Sequence, residues 1–296
     1  MAYRYDPDLE FLSKIRSTDL DDLVRCLTHD KDRSARLTEE LTANSQYKAH
    51  YPNHSKYWEL IAAEIQCFGG NTLANALRGG KGVPYKEVLT EVCDKLGVNY
   101  SKHSSVDTIE QNMLMKILQD SLDKMSPQEL RELCNSVGIP SIGSPSRTAV
   151  IAGCQALFKA GGFKSYQLTV VIVNAVLKAL IGRGLSFAGG QVLTKAASVL
   201  TGPIGWAITG IWTALDIASA AYRVTIPAVI QVAALRQKHA HDLECLRSQP
   251  DIANPGKLII RCPACDQKLR IPAGKQQLDI TCTSCRANWI WSNATA

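Results

Sequence analysis

The stretch SYQLTVVIVNAVLKALIGRGLSFAGGQVLTKAASVLTGPIGWAITGIWTALDIASAAYRVTIPAVIQVAAL, residues 165–235, decides what kind of protein this chain is. It carries five charges, Lys178, Arg183, Lys195, Asp216 and Arg223, in a chain of which 20% is charged. Between Lys195 and Asp216 lie 20 uncharged residues, about the number a helix needs to cross the hydrocarbon of a bilayer. Inside that run stand Gly202, Pro203, Gly205 and Gly210, and the Thr-Gly-Pro-Ile-Gly step predicts an interrupted helix, not a simple anchor. In the first third, Gln167, Asn174 and Lys178 share one narrow stripe at helical spacing, so the helix there requires burial nearly all round. Either a bundle core or a bilayer entered by a hairpin satisfies that requirement.

Outward from this stretch the composition is ordinary. With 296 residues there is length for two domains. A formal charge of +6 is modest and suits an anionic membrane surface as well as a nucleic acid. MAYRYDPDLEF lacks a basic segment followed by an apolar one, which predicts a cytoplasmic N-terminal part. Of the ten cysteines, Cys26, Cys67, Cys93, Cys134, Cys154 and Cys245 are scattered, which fits a reducing compartment. Cys93, Cys134 and Cys154 fall among apolar neighbours at helical spacing and read as small core side chains.

The chain before the apolar stretch reads as polar helices. Leu9, Leu12 and Ile15 make one apolar face, and Thr18 is the expected cap of a helix through Leu20, Leu23, Val24 and Leu27. A helix from Ser55 to Phe68 should stop at Gly69 and Gly70. Gly79, Gly80, Lys81 and Gly82 do not form a phosphate loop, because no Ser or Thr follows the lysine and no strand precedes it; they read as a turn. Pro84 should open the next helix. EVCDKLGV (91–98) and ELCNSVGI (132–139) share a glycine stop followed by an aliphatic residue. Val106, Ile109, Met113 and Ile117, widened by Leu114, Leu118 and Met125, give a further helical face. Ser126, Pro127 and Glu129 form a capping signature.

Three blocks carry a resemblance: YRYDPDLEFLSKIRSTDLDDLVRCL near the start, WELIAAEIQCFGGNTLANALRGGKGVPYKEVLTEVCDKLGV, and GPIGWAITGIWTALDIASAAYRVTIPAVIQVA. Together, over residues 3–236, they resemble the YaaW family of bacterial proteins, and the middle portion is similar to the helical ubiquinol-cytochrome c chaperone-like group. The resemblance implies a helical, non-enzymatic protein and carries no catalytic residues over. The chain departs from short family members by a C-terminal addition.

That addition holds the sharpest chemical signal. Cys262 and Cys265, followed after 16 residues by Cys282 and Cys285, form two Cys-x-x-Cys knuckles that can supply four thiolates to a tetrahedral ion. Zinc is the expected occupant, with a rubredoxin-type iron as the alternative. Four protein ligands leave no open position, so the site reads as structural. Residues 268–271 and 278–281 read as strands joined by the PAGKQQ turn, with NWIW as another strand. Lys257, Arg261, Lys268, Arg270, Lys275 and Arg286 oppose Asp266 and Asp279, and four thiolates with one dication remove half of the surplus. Nucleic acid is therefore the weaker partner, and Trp289 and Trp291 read as packing for a tiny core. His50 and His54 have Pro52 between them, and His239 and His241 fall on different helical faces. No HExxH, GxSxG or dinucleotide fingerprint is present.

The expected fold is mainly α: a helical bundle with a Gly-rich apolar helical hairpin and a small C-terminal β zinc ribbon. The expected domains are a polar helical domain (1–160), an apolar hairpin region (161–248), a linker (249–256) and a four-cysteine zinc ribbon (257–296). The functional expectation is a non-enzymatic bacterial protein associated with the inner face of the cytoplasmic membrane, with lipid as partner and a stress or defence role through membrane state. The competing expectation is a soluble zinc-dependent adaptor or nucleic-acid-binding regulator whose apolar stretch is core. Protein partners suit either.

Overall fold

The computed structural model describes residues 2–30, 34–36, 39–68, 82–140, 145–186, 222–247, 257–272 and 274–292. The turn expected at 79–82, apart from Gly82, the second half of the apolar stretch and the linker at 249–256 lie outside the described residues. The chain is mainly helical and divides into two compact units, Met1–His239 and Ala240–Ala296.

The first unit opens with a 3-10 turn, Glu10–Lys14, and helix α1, Ser17–Thr28. Thr18 is not the cap: α1 starts at Ser17, two residues earlier than a Thr18 cap implies, behind Arg16 and without a side-chain cap. The physical reason is local charge. Arg16 Nε meets Asp19 at 3.0 Å in the first turn, where a carboxylate is favoured by the helix dipole, and the Ser17 hydroxyl hydrogen-bonds Asn53 and Ser55. Then come α2, Ser45–His50, a second 3-10 turn at His54–Tyr57, and α3, Trp58–Phe68. Helix α4, Tyr85–Lys95, takes Pro84 as its N-cap and not as its first residue. α5 is Val106–Leu122, and α6 is Pro127–Val137 with the full capping box of Ser126 and Glu129. Both glycine stops form as expected. Gly97 and Gly138 take positive φ, and the N–H groups of Val98 and Ile139 reach back to the carbonyls of Cys93 and Cys134 at 2.9 and 2.8 Å, the six-to-one bond of a Schellman end.

The core is built on the apolar helices. α7, Arg147–Ala160, turns through Gly161 and Gly162, both at positive φ, into α8, Gly162–Ile181. Every residue from Leu168 to Leu177 in α8 is buried, including Asn174. α9, Tyr222–Arg247, contains Pro227, and its residues Val224–Leu235 are buried throughout. α8 is long and apolar enough to cross a membrane by length and composition, yet 61% of its apolar window is buried inside the protein. The faces of α4, α5 and α6 close the same core through Leu89, Met113, Leu118 and Leu133.

Polar anchors tie α9 to the N-terminal helices. Tyr85 Oη donates to Glu110 Oε1 at 2.7 Å, and Arg236 Nε meets Glu110 Oε2 at 2.8 Å. Arg236 also donates to the Asp8 carbonyl at 2.6 Å and lies 4.5 Å above the Phe11 ring. Burial pushes the Glu110 carboxyl up, and Arg236 opposes that shift. Lys238 meets Asp19 at 3.2 Å.

Two of these buried charges can be weighed by substitution. Arg236→Ala strips Glu110 of its counter-ion and should lower the unfolding free energy by about 3–5 kcal/mol, measured by denaturant titration of helical circular dichroism; a loss below about 1 kcal/mol would contradict the anchoring role. Glu64 is buried, its Oε2 has no hydrogen-bond partner, and burial raises its carboxyl to about 7. With the folded value above the unfolded one, its contribution is present below about pH 4.5 and lost as pH rises through about 7. In the same titration, Glu64→Gln should therefore match the parent near pH 4 and exceed it by about 3 kcal/mol at pH 8.

Candidate metal centre

The second unit holds two antiparallel ladders. β1, Lys257–Arg261, pairs with β2, Lys268–Pro272, and β3, Gln277–Thr281, pairs with β4, Asn288–Ser292. This corrects the expected topology, in which the strands on either side of PAGKQQ form the hairpin. Among the described residues β2 and β3 share no ladder, and each Cys-x-x-Cys knuckle is instead the tip of its own hairpin. The reason lies in the sequence on both flanks of each knuckle. KLII before Cys262 offers a strand with the same inward positions as QLDI before Cys282, so Leu258 faces Ile271 and, 20 residues on, Leu278 faces Trp291.

The knuckles repeat each other in detail. The Cys262 N–H donates to the Gln267 carbonyl at 2.9 Å, and the Cys282 N–H to the Ala287 carbonyl at 2.9 Å. The Asp266 and Arg286 N–H groups return to the carbonyls of Cys262 and Cys282 at 2.8 and 3.0 Å. Asp266 and Arg286 occupy the left-handed region, with φ of 60° and 59°, a conformation that tight turns demand. Arg261 pairs with Asp266 beside the first knuckle.

These turns bring the four predicted cysteines together. All four Sγ atoms lie within 4.8 Å of one another. Cys262 and Cys285 are 3.6 Å apart, and Cys265 and Cys282 are 3.5 Å apart. A tetrahedral ion with bonds of about 2.3 Å to sulfur has sulfur–sulfur edges of about 3.8 Å, so the cluster has the size a four-thiolate ion needs. Cys262 and Cys282 are buried, Cys265 is partly covered and Cys285 is exposed. The backbone N–H groups of Cys285 and Ser284 lower the Cys282 thiol to about 6, whereas burial raises Cys265 to about 12. N–H groups aimed at sulfur favour thiolate, the form a metal takes. Sequence reasoning misses these amide donors and the left-handed positions. Their signal is the 20-residue recurrence of strand, knuckle and strand.

The other candidates do not assemble. Cys93, Cys134 and Cys154 are fully buried, and burial raises Cys93 and Cys154 to about 12, which keeps them as neutral packing groups. The side chain of Cys245 lies outside the described residues. His50 and His54 belong to different elements; His54 is buried and contacts Tyr57 Oη at 2.5 Å and Asp21 at 3.3 Å. Trp289 and Trp291 stand opposite Ile280 and Leu278 inside the second hairpin.

Comparison with known proteins places the helical part. The family model described as Ubiquinol-cytochrome C chaperone matches residues 53–230, and a domain of unknown function, DUF3944, matches residues 3–37. A UPF0174 protein of Helicobacter pylori strain J99 is 53% identical over 238 residues, 80% of this chain and 94% of its own length. The UPF0174 protein YaaW of Escherichia coli K12 is 32% identical over 239 residues, 79% of this chain and 95% of its own length. No solved structure matches. The cysteine cluster lies beyond the last residue of either family match.

Reduced, metal-free protein should take up about one equivalent of Co2+ with the strong thiolate charge-transfer absorption of tetrahedral sulfur coordination. Cys262→Ala and Cys282→Ala should each abolish the band while leaving the helical circular dichroism intact. Persistence of the band in either variant would mean that another ligand set holds the ion.

Proposed function

Because this chain belongs to the UPF0174 family and, over residues 53–230, to the ubiquinol-cytochrome C chaperone family, we propose that it is a non-enzymatic bacterial adaptor that holds a protein partner and carries a structural zinc ribbon. The observation that carries this reading is the burial of both apolar helices. Leu168–Leu177 of α8 and Val224–Leu235 of α9 are spent on the protein's own core, so these two segments are already covered. A holding role is what the word chaperone in the family description suggests, and it requires no nucleophile or open metal position. The scattered thiols Cys93 and Cys154, which would be the obvious nucleophiles, are buried and neutral. Four thiolates with no open position favour zinc in a structural role, and the ribbon is then a rigid platform of exposed strands, on which Ile290 is 64% exposed.

The membrane reading keeps one specific support. The 20 uncharged residues 196–215 lie outside the described residues and are long enough to meet hydrocarbon. On that reading the protein sits at the inner face of the cytoplasmic membrane and acts in stress or defence by changing membrane state. Nucleic acid is the weaker partner, because the ribbon's positive surplus is halved, from four charges to two, once four thiolates and a dication are counted.

Flotation separates the readings. The adaptor should be monodisperse without detergent, contain about one zinc per chain, and remain at the bottom of the gradient with neutral liposomes. Flotation with neutral liposomes that survives a carbonate wash and is lost in Ile208→Lys would overturn it in favour of insertion, since lysine in hydrocarbon costs about 3 kcal/mol.

A further inference from the structure

A cleft of about 610 Å³ opens in the helical unit where α1 and α8 end, with Arg25, Cys26, His29, Tyr51, Ile181 and Arg183 among its walls. Its charges are unevenly spent. Arg25 is engaged by Asp21 at 2.6 Å, and Asp30, which also lines the cleft, is engaged by Arg36. Arg183 makes no ion pair among the described residues. Both helices deliver their carbonyl ends here, and each end carries about half a negative charge, which favours a guanidinium and opposes an anion. An anion in the cleft must therefore be held by the arginine side chains themselves.

The segment that carries Arg183 is held in place. Gly182 ends α8 in the left-handed conformation. Two residues beyond Arg183, the Leu185 N–H donates to Asn174 Oδ1 at 3.1 Å, and the Ser186 N–H donates to Asp22 Oδ2 at 2.6 Å. Asn174 and Asp22 are both buried, so the loop is clamped to α8 and α1 by groups that have few other uses. Behind the wall, Gln231 of α9 is 1% exposed, lies beside the Cys26 thiol, and neither its amide nitrogen nor its amide oxygen has another hydrogen-bond partner. A buried amide left this way carries an unmet polar demand close behind Cys26. Tyr51, 55% exposed, and Ile181 give the same cleft an aromatic and an aliphatic wall.

We propose that this cleft binds a phosphate-bearing ligand, with Arg183 as the primary phosphate contact, Arg25 as a second donor, and Tyr51 and Ile181 against the ligand's apolar body. A planar guanidinium with no carboxylate of its own among the described residues matches two phosphate oxygens at once, and Arg25 keeps further N–H donors after serving Asp21. The volume is far larger than an isolated ion requires and falls within the range of small-molecule sites. Cys26 is a bystander: burial pushes its thiol up to about 12 despite Arg36 and Arg183 nearby, so the site binds and does not attack. The same chemistry serves a soluble phosphate monoester or the headgroup of an anionic phospholipid.

The test uses the full zinc-loaded chain. Isothermal titration with sn-glycerol 3-phosphate reads the soluble source, and co-sedimentation with phosphatidylglycerol vesicles, against phosphatidylcholine vesicles as control, reads the lipid source. Binding in either arm should weaken at least about tenfold in Arg183→Gln and less in Arg183→Lys, with unchanged helical circular dichroism and thermal midpoint. Binding of the soluble ester assigns the cleft to a free phosphate compound, and binding to anionic vesicles alone assigns it to a headgroup. Absence of binding in both arms, or binding that Arg183→Gln leaves unchanged, overturns the proposal.

Discussion

The helical unit depends on one buried ion pair, Arg236 with Glu110. The partners are 126 residues apart in sequence and 2.8 Å apart in space, and around them gather Tyr85 of α4, the Asp8 carbonyl and the Phe11 ring. Removing two charges from water is costly, and the return depends on the remaining lone pairs and N–H groups being used. Here they are used: Glu110 accepts from both Tyr85 and Arg236, and Arg236 donates to both a carboxylate and a carbonyl. What the pair supplies beyond energy is register. An apolar helix such as Val224–Leu235 could slide or rotate among aliphatic neighbours at small cost, whereas a guanidinium fits one position, and the contact from Gln237 to Asp107 at 2.8 Å repeats the constraint one residue later.

The same economy explains how the apolar helices tolerate polar groups. Asn174 and Asp22 each spend an oxygen on the loop that follows α8, so polarity within the core terminates a helix and positions what comes next. Ser165 and Thr169 are different, since their hydroxyls are buried without partners, and Gln231 has only a thiol beside it. Such groups lower stability where they stand, and their concentration on α8 and α9 marks the centre of the bundle as the part of the fold least optimised for packing alone.

How much of this is legible in the sequence follows the distance over which each feature is decided. Helix ends are readable because a Ser126 cap with Glu129, or a glycine before an aliphatic residue, is settled within six residues. The cysteine cluster is readable because ligand spacing is itself a local geometry. The cap of α1 is not Thr18, since Arg16 takes over the first turn through Asp19 while Ser17 turns to Asn53, a residue 36 positions away. The ribbon's strands are visible in the sequence, but their pairing is not, because alternation fixes which face a side chain takes and leaves the choice of neighbour open. Arg183 is one of five charges in an apolar stretch, and nothing local shows that it will lack a carboxylate among the described residues. Burial against lipid and burial against protein ask for the same residues, so α8 is undecided until its neighbours are in place.

The separation of the ribbon into two ladders has a consequence for its dynamics. With no ladder bond joining β1–β2 to β3–β4 among the described residues, the hairpins can part without breaking any strand hydrogen bond, and an ion held by the four cysteines would be the principal fastener between them. Departure of the ion should accordingly be a hinge event, not an unfolding event. With such an ion bound, a competing chelator would enter at the exposed Cys285, displace one sulfur at a time, and leave two intact half-clasps able to close again on the next ion.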